Sequence, residues 1–169
     1  MRPVAPGSLD RSRNAARLSS QAVTVTLRSG RARALGAGLA TRAAGALRTL
    51  RLTDAELSLV LVSDAQMRAL NGKFRRKQHA TDVLSFPMHG RRPPRAGPWL
   101  LGDVVISLDT ARRQAAVDGC RPIDAAERLL IHGLLHLLGY DHEVSAHEAR
   151  RMARRERFVA RALRRAGNE

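Results

Sequence analysis

Apolar and polar positions alternate strictly in Val-Thr-Val-Thr-Leu, residues 23–27, which is the period of a strand with one buried face. Ser29 and Gly30 close that segment. An Ala/Leu/Arg-rich stretch over 31–50 predicts a helix, weakened by three glycines. Residues 55–63 form the clearest strand, and Ser63 or Asp64 is placed to cap a helix running through Met67 and Leu70 to about Phe74. A short strand over 83–88 is ended by proline, the Gly/Pro/Arg segment 89–98 predicts an exposed loop, and 100–108 is a further strand. Three helices follow: one from Asp109 or Thr110 to near Gly119, one over 124–138 with Pro122 in its first turn and Gly139 as its stop, and one over about 145–165. This order predicts a single α/β (α+β) domain over 21–166. It should have a small mixed sheet of about four strands packed with about five helices, and residues 1–20 should be a disordered extension.

Composition narrows the class. At 169 residues the chain can bury a core without disulfides, and its 44% apolar content is that of a globular protein. Aromatics make up only 3%, so aliphatic side chains must fill the core and bases are poor candidates for stacking on an aromatic platform. A lone cysteine, Cys120, excludes an internal disulfide and suits a reducing, cytoplasmic location. No apolar run approaches the roughly 18 residues of a membrane span. The net charge of +15, almost all from arginine, points to a polyanion partner. It is unevenly spread: residues 1–50 carry nine Arg against Asp10, and residues 145–169 carry eight Arg against three Glu. Between them the charge is nearly balanced, with one basic cluster at Lys73, Arg75, Arg76 and Lys77. A solvated, arginine-rich surface would explain the termini equally well.

The segment Ile-His-Gly-Leu-Leu-His-Leu-Leu-Gly-Tyr-Asp-His-Glu, 131–143, carries the chemistry. His132 and His136, four apart, share one helix face, so both imidazoles can reach a single ion. Gly139 can adopt the left-handed conformation and turn the chain so that His142 returns as a third ligand. Three neutral nitrogens with an open fourth position describe a catalytic zinc at the end of a central helix, because structural sites usually close with four protein ligands. The alternative, two packed core histidines and an unrelated surface one, would serve for one histidine but not for three at this spacing. His147, five residues on, is read as a solvent-facing residue of the last helix. The spacing is that of the metzincin proteases, yet the general-base glutamate after the first histidine is replaced by Gly133. Glycine inside a helix costs about 1 kcal/mol. A substrate backbone or a packed strand should therefore approach closely at that position.

Three blocks, HGLLHLLGYDH at 132–142, TDVLSFP at 81–87 and LGDVVIS at 101–107, preceded by Phe74 and Arg75, make the chain similar to the YbeY family of metal-dependent endoribonucleases, the bacterial rRNA maturation factors. The resemblance covers about residues 55–160. It implies that His132, His136 and His142 hold one Zn2+ and that Arg75 is the cleft arginine on the RNA phosphate. Lys77, Asp82 and Ser85 are implied as further substrate contacts along the 81–87 segment. For Asp82 and Ser85, turn capping and strand packing are the simpler reading of the residues, and Asp103 is equally ambiguous. The implied activity is zinc-dependent cleavage of single-stranded RNA in rRNA maturation, including 3′-end processing of small-subunit rRNA, and in ribosome quality control. RNA and the ribosome are the implied partners, with no membrane and no nucleotide cofactor. The chain departs from the family at Arg76, Lys77, Gln78, His79 and Ala80, where a Gly-Lys-Asp-Lys-Pro run is usual, which puts the rigidity of that loop in question. Two rivals remain open: a metzincin-like metalloprotease, and a non-catalytic ribosome- or RNA-binding protein with a structural zinc.

Overall fold

The computed structural model describes residues 16–20, 23–27, 33–52, 54–88 and 99–167. Five strands and five helices follow one another as β1 (Ala16–Ser20), β2 (Val23–Leu27), α1 (Arg33–Thr49), β3 (Ala55–Val62), α2 (Asp64–Arg75), β4 (Val83–Pro87), β5 (Trp99–Ser107), α3 (Leu108–Asp118), α4 (Pro122–Leu137) and α5 (Ala146–Ala166). The four strands and five helices read from the hydrophobic pattern are β2 to β5 and α1 to α5. β1 is an addition, lying in the segment expected to be a disordered extension, whose first fifteen residues are outside the described residues. The loop expected over 89–98 is also outside them.

The sheet order is β1-β2-β3-β5-β4, with β3 parallel to both β2 and β5 and with β1 and β4 antiparallel at the edges. Parallel central strands need both faces covered. Leu57, Leu59 and Leu61 of β3 join Leu101, Val104 and Ile106 of β5 in the larger core cluster, with residues of α1, α4 and α5. On the opposite face Val62, Val105 and Leu84 pack with Met67 of α2. Each such Leu or Ile contributes about 1.5–3 kcal/mol of burial free energy. α1 keeps its glycines for packing. A Cβ at Gly45 would stand 2.7 Å from Leu163 of α5, and one at Gly38 would stand 3.1 Å from Ile123 of α4. α1 and α4 are also joined electrostatically, because Arg42 reaches Glu127 at 2.5 Å and Asp124 at 3.2 Å.

Local capping fixes the entry of α2. The Ser63 hydroxyl accepts from Gln66 N–H while the Gln66 side chain accepts from Ser63 N–H, a reciprocal capping box. The helix ends at Arg76, which is left-handed at φ 56°. The loop beyond is tied down by buried Asn71, whose carbonyl accepts from Lys77 N–H and whose amide donates to His79 O at 2.7 Å. That tie supplies a restraint where the proline of the family pattern is missing.

Candidate metal centre

α4 runs across the sheet face with its middle pressed onto β4 and β5, and the position that allows this is Gly133. A Cβ there would meet Val104 Cγ1 at 2.7 Å, Ser85 Oγ at 3.0 Å and Val83 Cγ2 at 3.1 Å. Of the two close approaches anticipated from the sequence, the packed strand is the one found. Glutamate has no room at this position. Ser85, expected as a substrate contact, donates its hydroxyl to Gly133 O at 3.0 Å and so fastens β4 to α4.

The same helix places His132 and His136 one turn apart, and its end is the sharp reversal that the sequence predicts. Gly139 has φ 81°, Gly139 N–H donates to His136 O and Tyr140 N–H to Leu135 O. Asp141 accepts from Glu143 N–H at 2.9 Å, shaping the turn that presents His142. The three rings therefore converge, with centroids 4.7, 5.1 and 5.2 Å apart. One ligand atom from each lies within 4.8 Å of the others. The Nε2 atoms of His132 and His136 are 3.1 Å apart, close to the roughly 3.3 Å between two imidazole ligands at zinc–nitrogen distances of about 2.0–2.1 Å in a tetrahedral shell. His136 is held below the ordinary imidazole pKa, first by burial and then by the neighbouring charges of His132 and His142, with Arg75 adding to the effect. A neutral ring is the state that can donate its lone pair to an ion.

One residue of the centre was missed in the sequence reading. Glu156, on α5, lies 2.8 Å from His132 Nδ1. A carboxylate on Nδ1 fixes the tautomer that leaves Nε2 free for a metal, the outer-shell arrangement typical of metal-bound histidine. Its only signal in the sequence is that Glu156 stands alone among arginines between Arg154 and Arg161. The donor set, its convergence and this support together fit a borderline divalent cation.

The remaining predicted residues are placed less centrally. Arg75 is exposed in the last turn of α2, with its charge felt at His136. Lys77 is exposed on the following loop. Asp82 caps the start of β4, accepting from Val83 N–H at 2.8 Å and from the Thr81 hydroxyl at 3.3 Å, and it faces Gln114 at 3.4 Å. Asp103 is buried on the α2 face of the sheet, where burial raises its pKa against the opposing effect of a Ser58 hydrogen bond. His147 is exposed near Glu148 and outside the cluster. An open groove of about 1230 Å³ is lined by His132, Asp82, Glu156, Arg157 and Arg164, among others.

Comparison with known proteins agrees with this geometry. The family model described as Endoribonuclease YbeY matches residues 33–164. An Endoribonuclease YbeY of an Anaeromyxobacter species (strain Fw109-5) is 55% identical over 78% of this chain and 67% of its own length. That of Anaeromyxobacter dehalogenans is 56% identical over 73% of the chain and 62% of its own length, and that of Aquifex aeolicus is 45% identical over 68% and 74%. The chain thus matches about two thirds of the length of the Anaeromyxobacter relatives. The solution structure of TM1509 from Thermotoga maritima shares the fold, with a TM-score of 0.62 and 23% identity over 83% of this chain and 88% of that one. With the family match running from α1 through the histidine turn into α5, the chain belongs to the endoribonuclease YbeY family.

Proposed function

We propose that this chain is a zinc-dependent endoribonuclease that prefers single strands and acts in rRNA maturation and ribosome quality control in the cytoplasm. The observation that carries the reading is the convergence of His132, His136 and His142, the first of which also lines a groove, in a chain of the endoribonuclease YbeY family. These three residues hold the ion and Glu156 keeps His132 in the ligating tautomer. A divalent ion held there supplies Lewis-acid polarisation of a phosphoryl oxygen. Arg75 clamps the phosphodiester, since a guanidinium can bind two phosphate oxygens at once. Lys77 adds charge at the entrance, while Asp82 and Ser85 shape the wall of the cleft.

The protease rival draws on ligand spacing alone. It lacks the carboxylate that would serve as base, and the packing of Val104 and Val83 against Gly133 leaves no space for one. The structural-metal rival meets a donor set of three nitrogens rather than four closed ligands. The test is cleavage of a single-stranded RNA and of casein by the purified chain and its Arg75→Ala variant. RNA should be cut, with the rate falling about 100-fold or more in the variant, and casein should stay intact. Zinc-dependent loss of casein, or wild-type chain that binds RNA without cutting it, contradicts the proposal.

A further inference from the structure

The arginines of α5 are not spread around the helix. Arg150, Arg154, Arg157, Arg161, Arg164 and Arg165 are all exposed, and at 3.6 residues per turn they fall within an arc of about 100°. Buried Met152 and Val159 lie on the opposite side. The two acids of the helix, Glu148 and Glu156, stand away from the arc, engaged with Arg151 and with His132. No carboxylate among the described residues pairs with any of the six.

A solvated helix face ordinarily sets acids three or four residues from bases. Here like charges repeat at those spacings, Arg150 with Arg154, Arg154 with Arg157, Arg157 with Arg161, and Arg161 with Arg164 and Arg165. Each such pair is unfavourable in the free protein and is relieved by a polyanion. The stripe is about 22 Å long. It also adjoins the metal centre, since Arg157 and Arg164 line the same groove as His132. Phe158, half-exposed at one edge of the arc with the Arg155 guanidinium over its ring, is a single side chain rather than an apolar face to lay into a lipid surface, and that favours a phosphodiester strand over a membrane.

We propose that the exposed arginine stripe of α5 is a second RNA-binding surface, which takes the backbone phosphates of the substrate strand several nucleotides away from the phosphodiester held at the histidine centre. The proposal rests on the endoribonuclease reading above. Contacts of this kind position the strand without reading its sequence.

The experiment compares wild type with the triple variant Arg154→Gln, Arg161→Gln, Arg165→Gln. These residues lie outside the groove lining, and glutamine keeps helix propensity. Binding of a fluorescent 20-nucleotide single strand is measured from 50 to 300 mM salt, beside cleavage of a tetranucleotide too short to run along the stripe. Three lost phosphate contacts should reduce the slope of log K against log salt by about 2 and weaken binding about 100-fold near 0.1 M salt. Tetranucleotide cleavage should be unchanged. An unchanged salt slope overturns the proposal, as does a variant that loses affinity for anionic phosphatidylserine vesicles but not for RNA. If wild type cuts neither RNA, the endoribonuclease reading itself has failed, a result distinct from either of these.

Discussion

Glu156 and Gly133 carry the two residue-level claims that differ most from a reading of the histidine motif alone. Glu156 acts through His132, so Glu156→Ala should weaken metal affinity about 10–100-fold without unfolding the domain. Competition with a chromogenic chelator measures this, and unchanged affinity would remove Glu156 from the centre. Gly133→Ala sets a gain in helix propensity of about 1 kcal/mol against contacts as short as 2.7 Å with β5. Overpacking should win, with a net loss of about 1–2 kcal/mol in denaturant unfolding. Asp103 gives a pH signature. Burial raises its folded-state pKa above the unfolded value, so its contribution to stability is full below the ordinary carboxylate range and is lost as pH rises through the raised pKa. Asp103→Asn should therefore be more stable than wild type at pH 7 and lose this advantage in acid, as followed by thermal unfolding from pH 3 to pH 7.

At the scale of elements, α4 presents the ligands because it is held from both sides, by β4 and β5 beneath Gly133 and by α1 through Arg42. Glu127 is buried, so Arg42→Ala leaves a carboxylate without its partner and should cost about 3 kcal/mol. Urea unfolding reads this directly, and a loss below 1 kcal/mol would show that the pair does not anchor the helix. Most of these elements were legible in the chain. The Val-Thr alternation of β2, the capping serine of α2 and the Gly139 stop of α4 are local signals, and the structure follows each of them. β1 was not legible, because Ala-Arg-Leu-Ser-Ser has no clear alternation and owes its strand to backbone pairing with β2. The histidine triad could be read because helix spacing and one glycine bring its members together. Glu156 could not, since only the packing of α5 on α4 brings a residue 24 positions later onto His132. For the same reason the sequence left Ser85 between substrate contact and strand packing, since only the approach of α4 shows that its hydroxyl donates to Gly133 O.

The whole molecule separates its charge by purpose. α1, α3 and α4 hold arginines in pairs such as Arg42–Glu127, Arg113–Asp64 and Arg128–Asp118, whereas six exposed arginines of α5 pair with no carboxylate among the described residues. No helix among the described residues is long and apolar enough to cross a membrane. If the α5 stripe binds RNA phosphates as proposed, affinity for single-stranded RNA should fall steeply with salt. The central claim is that the three histidines hold a metal ion on which RNA cleavage depends. The direct measurement is elemental analysis of the purified chain together with its rate of single-stranded RNA cleavage, for wild type and for His136→Ala. The account predicts one divalent ion per wild-type chain, zinc under the proposed assignment, with both metal and cleavage lost in the variant. Wild-type chain that cuts RNA without stoichiometric metal, or a metal-free His136→Ala that cuts as fast as wild type, would contradict it.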